Sequence, residues 1–313
     1  MAEARRTRRA LALGAALLAA LVVPLAGCTE PAAPQDGNGE VQQGFRGRGF
    51  TGELRILAAE AVAPAVERQA GAFRRAYDSS RVEVVSTSTR EAIVGLVFGR
   101  AGAAVVDRPL DAEERQAFAD AQRTISEIPI GHGALVVVVN PASPARALSL
   151  DSLSAIVRGE GVRLPGGAGP ARLALAQLET GATFLLRERL LGQGQLPRPV
   201  FAAETEREVL EWVAATPDGI GVVSLAAYAA DRERRVRPLA LPDSAGHLVQ
   251  PTPNDVYHGV YPLSHPVTLL LAGGTGGIGA GFATFAVQNV GQEQIQRAGL
   301  VPARLPVREI ELR

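Results

Sequence analysis

The chain has 313 residues, 47% of them hydrophobic and 4% aromatic, with 32 basic and 32 acidic side chains and a formal net charge of zero. That balance excludes a polybasic nucleic-acid binder, and the scarcity of aromatics argues against a stacking platform for bases or sugars. Every basic residue is Arg, and Cys28 is the single cysteine, so no intrachain disulfide can form and stability has to come from core packing.

In chain order, Arg5, Arg6, Arg8 and Arg9 come first, then an apolar run over residues 10–26 that closes on Leu25-Ala26-Gly27-Cys28. Basic, then apolar, then small is the order of a secretory signal, and the run is short for a bilayer span. The Leu-Ala-Gly-Cys ending resembles the lipobox of bacterial lipoproteins. That resemblance implies cleavage before Cys28 and a lipid on its thiol; the alternative is an ordinary signal followed by a buried cysteine. On the first reading, residues 1–27 are a lipoprotein signal peptide. Residues 28–50, rich in Pro, Gly, Gln and Asn, are then a lipidated cysteine and flexible linker. The expectation is an exported protein, lipid-anchored on the periplasmic or extracellular side. Its folded part of about 260 residues suffices for two modest domains.

From Gly52 the pattern turns globular. A strand is predicted at 53–58 and a helix at 64–77, with Val66, Ala70, Phe73 and Tyr77 along one face. A second strand at 82–86 runs into a helix capped by Ser88 or Thr89 and ending near residue 98. The strand at 103–106 stops at Asp107-Arg108-Pro109-Leu110, and a helix covers 111–121. This alternation predicts right-handed crossovers and a mainly parallel sheet. An extended segment at 125–130 is then expected to break at Gly131-His132-Gly133, ahead of a buried strand over 134–140. A short helix at 149–158, a Gly/Pro-rich loop at 159–170, a strand at 173–176 and helices at 180–191 and 204–215 follow. Next come a strand at 220–224, a short helix at 225–230, an extended crossing at 234–241 and a strand at 268–271. A helix at 278–290 and a helical turn at 292–298 complete the pattern.

Several short stretches, in this order, carry a resemblance. They are Ser88-Thr89-Arg90-Glu91-Ala92-Ile93, Asp107-Arg108-Pro109-Leu110, Pro129-Ile130-Gly131, Thr180-Gly181-Ala182, Thr216-Pro217-Asp218-Gly219-Ile220-Gly221, Tyr261-Pro262-Leu263-Ser264 and Ala298-Gly299-Leu300-Val301-Pro302. Over about residues 52–305 the chain resembles the PstS-like periplasmic phosphate-binding proteins of ABC transporters, within the type II solute-binding superfamily. The resemblance implies an α/β fold of two lobes, each a mainly parallel sheet flanked by helices, joined by two hinge strands near 127–131 and 236–242. Residues 52–128 plus 243–313 would form one lobe, and 129–242 the other with the hinge segments.

Such a cleft suits an oxyanion for a physical reason. Desolvating an anion is repaid only by many aligned donors, which helix starts, hydroxyls and an Arg supply. One carboxylate can in addition accept a hydrogen bond from a protonated phosphate, which a fully ionised anion such as sulfate cannot offer. The resemblance places hydroxyls at Ser86, Thr87, Ser88 and Thr89, without settling which of them face inward. It places the acid at Asp107 and a further helix start at Thr180 and Gly181. It also exposes departures: Ala176 stands where the family has Arg, Ala182 where it has Thr, and Glu60 in the first loop, where a carboxylate would repel an anion. Arg90 or Arg108 is the candidate replacement cation. Asp107 also admits a humbler reading, as the cap of a turn.

Other signals are weaker. The Gly273-Gly274-Thr275-Gly276-Gly277 run has no following Lys-Ser/Thr, and its nearest suitably spaced acid, Glu293, lies in a polar helical run, so it reads as a strand-to-helix loop. His132, His247, His258 and His265 do not pair at metal-ligand spacing. His132 lies at the expected hinge. No serine-hydrolase elbow is present, and Trp212 reads as packing. The expected function is capture of phosphate or a similar small oxyanion for ABC permease subunits, by a monomer with no cofactor, no metal, no nucleic acid and no enzymatic chemistry. The alternative is a surface interaction or sensor lipoprotein on the same scaffold, with a different or no small ligand.

Overall fold

The computed structural model describes residues 50–176, 181–192, 201–273 and 276–304. Strand β1 (Gly52–Ala59) turns Leu54, Ile56 and Ala58 inward and is followed by α1 (Ala63–Ala76), with a Pro in its first turn. β2 (Ser80–Thr87), α2 (Thr89–Val97), β3 (Ala103–Val106) and α3 (Ala112–Asp120) continue the alternation. α3 opens on a capping box: Asp111 accepts from the Glu114 N–H, and the Glu114 carboxylate accepts from the Asp111 N–H. Then come β4 (Ile125–Val139), α4 (Leu150–Val157), β5 (Arg172–Ala176), α5 (Gly181–Leu191), β6 (Phe201–Ala203), α6 (Glu206–Ala215), β7 (Gly219–Ser224) and α7 (Leu225–Ala230). The remaining elements are β8 (Arg237–Pro238), β9 (Leu241–Pro242), β10 (Leu248–Val249), α8 (Pro253–Tyr257), β11 (Ser264–Ala272), α9 (Gly277–Val287), α10 (Asn289–Arg297) and β12 (Val301–Pro302).

The main sheet runs β2-β1-β3-β11-β4-β7-β5-β6. Its two ends are parallel, β1 with β2 and β3, β5 with β6 and β7. Between them β11 is antiparallel to β3 and β4, and β4 is antiparallel to β7. The parallel βαβ units are those read from the alternation; the antiparallel seam joins them. Separate cores flank the sheet. One gathers Ile56, Val66, Phe73, Val105, Val267 and Phe282, with Phe73 edge-on to Phe282 and Phe285 at 5.5 and 5.4 Å. A smaller one lies under α2 and includes Ile93, Leu96, Val106 and Phe118. The third contains Leu135, Val137, Leu153, Leu186, Val209, Ile220 and Tyr261. Tyr261 is buried, and its hydroxyl donates to the Leu135 carbonyl at 3.1 Å.

Two expectations are corrected. Gly131-His132-Gly133 does not break the chain: β4 is one strand of 15 residues. The glycines serve close packing instead. A Cβ on Gly131 would lie 3.0 Å from the Val301 carbonyl oxygen, and one on Gly133 2.5 Å from the His265 ring. Likewise the helix at 278–290 ends at Val287, where extended Gln288 turns the chain into α10. Buried Gln69 and Gln292 satisfy the carbonyls at that corner. Gln69 donates to Ala286 and Gly291 at 3.1 and 3.0 Å, and Gln292 donates to Ala286 at 2.7 Å.

Candidate functional site

The carboxyl ends of β1, β2 and β3 lie side by side, Ala59 opposite Thr87 and Ala58 opposite both Ser86 and Val105. In parallel α/β sheets this edge, where helices begin, is where ligands bind. Ser88 caps α2 by accepting the Glu91 N–H at 3.2 Å. Thr87 donates its hydroxyl to the Glu91 carboxylate, which is thereby held below its ordinary pKa, with the Ser88 backbone adding to the effect. Thr89, the first helical residue, is buried and donates to Asp107 Oδ1 at 2.7 Å. Asp107 is itself buried, at the end of β3. Thus Thr89 and Asp107, two residues singled out in the sequence, meet directly. Ser86 and Arg90 are exposed, and so is Glu60, whose N–H donates to the Thr87 carbonyl at 3.0 Å.

Arg108 is committed elsewhere. Its guanidinium binds Glu114 through two nitrogens at 2.8 and 2.6 Å and reaches the Pro109 carbonyl at 3.0 Å. Burial works against its charge, but the Glu114 hydrogen bonds and carboxylate outweigh it and raise its pKa. From the other end of the sheet, Gly181 opens α5 and half-buried Ala176 closes β5. Thr180 and Cys28 lie outside the described residues, as do residues 1–49.

Three groups not assigned a role in the sequence join this region. His265, at the start of β11, is buried over Gly133. Burial pushes its pKa down, opposed by the Asp107 charge; Arg189 and His132 add to the depression. His132 of β4 is half-buried against Tyr257, ring centroids 5.6 Å apart, and burial depresses it too. Glu206, first residue of α6, accepts from the Ser224 N–H and from Ser224 Oγ at 2.6 Å. Burial raises its pKa, the Ser224 bonds resist, and the nearby Asp107 charge raises it further. In the sequence Glu206 looks like an ordinary first-turn acid placed for the helix dipole. Only the fold reveals that β7 brings Ser224 to it. Among the described residues, no cluster of His, Cys, Asp and Glu could hold a metal, and no helix is long and apolar enough to cross a membrane.

Two parallel-ended half-sheets joined by an antiparallel seam, with helix starts and a buried acid at the strand ends, define the architecture of a periplasmic solute-binding protein. Solved structures agree. The fold is similar to a substrate-binding protein from Clostridium perfringens solved with phosphate bound (TM-score 0.68, 18% identity, covering 81% of this chain and 100% of that one). It is also similar to an ABC-type phosphate transport receptor from Vibrio cholerae (TM-score 0.67, 18% identity, 79% and 99% covered). In sequence the chain is 24% identical over 254 residues to Protein SphX of Synechococcus elongatus, spanning 77% of this chain and 74% of that protein. Residues 29–290 match the PBP superfamily domain, and the chain belongs to that family.

Proposed function

We propose that this chain is an exported solute-binding protein that captures phosphate, or a similar small oxyanion, and delivers it to the permease of an ABC importer. The observation that carries this reading is the buried Asp107, held by Thr89 at the carboxyl edge of the sheet. It sits in a family member whose fold relatives include a protein solved with phosphate and a phosphate transport receptor. Asp107 accepts a hydrogen bond from a protonated oxygen of phosphate. The hydroxyls of Ser86, Thr87, Ser88 and Thr89, the Arg90 and Arg108 side chains, and Thr180 with the Gly181 amide are the candidate donors. The ligand sits between a lobe of residues 52–128 plus 243–313 and a lobe of 129–242, and no covalent chemistry is involved. Lipid on Cys28 tethers the protein to the membrane, where it works as a monomer.

Calorimetric titration with phosphate, arsenate and sulfate tests the reading. Phosphate is expected to bind, and Asp107→Asn to weaken it more than it weakens sulfate. Flat heats for every anion would refute it. They would support the second reading, a surface interaction protein, which draws on the engagement of Arg108 with Glu114 and the absence of a cation at Ala176.

A further inference from the structure

Two arginines at the entry to β8 live in opposite surroundings. Arg235, just before the strand, is held by Asp231 at 2.8 Å and Glu211 at 3.1 Å, and the Asp231 hydrogen bond leads the causes that raise its pKa. Arg237, two residues on, meets carbonyls instead. Its Nη2 donates to Ser143 at 2.8 Å and to Ala145, both in the loop that follows β4. Arg146, from that same loop, sends its Nη1 to the same Ser143 carbonyl at 3.1 Å. One oxygen of a buried residue thus gathers two guanidinium groups. Backbone pairing fixes the arrangement, since Arg237 lies opposite Val139 and Ala147 bridges Ala240.

Arg237 is half-buried, and its Nε is buried without an acceptor. Burial lowers its pKa, and the Arg146 charge lowers it further. Among the described residues no carboxylate pairs with either guanidinium. Glu160 is taken by Arg158, and Asp218 lies against Gly167 and Gly169 of the neighbouring loop, whose Gly166 packs on Pro144.

Holding two like charges at one oxygen is unfavourable, and so is leaving a buried N–H unmet. Carbonyl oxygens orient the guanidinium planes but neutralise neither charge. A doubly charged oxyanion matches both charges and can take two hydrogen bonds from each planar fork. The place is separate from the candidate cleft. Val139 stands opposite Ile220 near the opening of β7, whereas Ser224 closes β7 and α5 starts beyond the closing end of β5. We propose that Arg146 and Arg237 form a second anion site, at the sheet edge opposite the start of α5, for a doubly charged tetrahedral oxyanion such as sulfate or hydrogen phosphate.

Thermal melts in a sulfate series, held at constant ionic strength with chloride, test the site without involving phosphate capture. The parent's melting temperature should rise and level off, by about 3–6 °C once sulfate exceeds its dissociation constant tenfold. General stabilisation by an excluded salt does not level off in this way. Arg146→Gln, at an exposed position, and Arg237→Gln should each weaken sulfate about tenfold or more. Arg146→Glu, which sets an acid beside Arg237, should melt above the parent without sulfate and gain nothing from it. A parent curve with no plateau, or a plateau that survives both Gln variants at the same sulfate concentration, overturns the site.

Discussion

Thr89→Val is the sharpest probe of how the site is built. The substitution keeps the branched shape but removes the hydroxyl that donates to Asp107 Oδ1, at 2.7 Å between two buried side chains. A hydrogen bond to an ionised partner contributes about 1.5–3 kcal/mol, and here no solvent replaces it. For a domain of this size each kcal/mol moves the melting temperature by about 2–4 °C, so the variant should melt about 3–12 °C below the parent. Thr89→Ser keeps the hydroxyl and loses one methyl, which costs about 1 kcal/mol. Thermal melts and urea titrations of the three proteins, with phosphate calorimetry alongside, give the comparison. The Val variant should also lose phosphate affinity, because a carboxylate without its tether no longer points one way. If Val and Ser destabilise equally, or Val leaves the melt unchanged, the Thr89–Asp107 bond does not organise this edge of the sheet.

Further outcomes follow from packing and proton linkage. His265 has a depressed folded pKa, so its contribution to stability is present above its ordinary value of about 6.5 and is lost as pH falls through the folded value. His265→Gln should therefore flatten the decline in melting temperature on acidification from about pH 6.5; an unchanged slope would refute the assignment. Glu206 works in the opposite sense. With a raised folded pKa, its contribution is present at low pH and is lost as pH rises through the folded value. Glu206→Gln should thus gain most in melting temperature over the parent at high pH, and a difference independent of pH would count against that burial. Gly291→Ala places a Cβ 2.3 Å from the Phe285 carbonyl oxygen at the α9–α10 corner, and should cost about 1–3 kcal/mol or more in a urea titration.

Much of this fold is legible in the sequence because its parallel units carry strong periodic signals. The strand-to-helix junction at Ser88 is recognisable from its hydroxyl cap, and the acid after β3 from the family resemblance, which places it ahead of Pro109-Leu110. Local pattern misled where long-range packing decided. Gly131 and Gly133 look like a break, yet each makes room for a neighbour, the Val301 backbone in one case and the His265 ring in the other. α8, opened by Thr252 with Pro253 in its first turn, is too short to leave a periodic trace. At the site, the sequence identifies Thr89 and Asp107 but not their mutual bond. It offers Arg108 as a candidate cation, whereas the fold binds Arg108 to Glu114 six residues on. Glu206 and His265 receive no role in the sequence because the partners that define their surroundings, Ser224 for one and Gly133 for the other, are distant along the chain and meet them only in the fold.

Strand β4 pairs with β11 along its first part and with β7 along its last, so a single backbone is stitched into both flanks. On the two-lobe reading proposed above, that makes the seam a leaf spring rather than a pinned joint. Flexing has to spread as twist over its 15 residues, and the irregularity opposite, between Val267 and Thr268, supplies slack at mid-span. On the same reading, stiffening that short stretch would change how readily the two proposed lobes part, while leaving every candidate ligand donor in place.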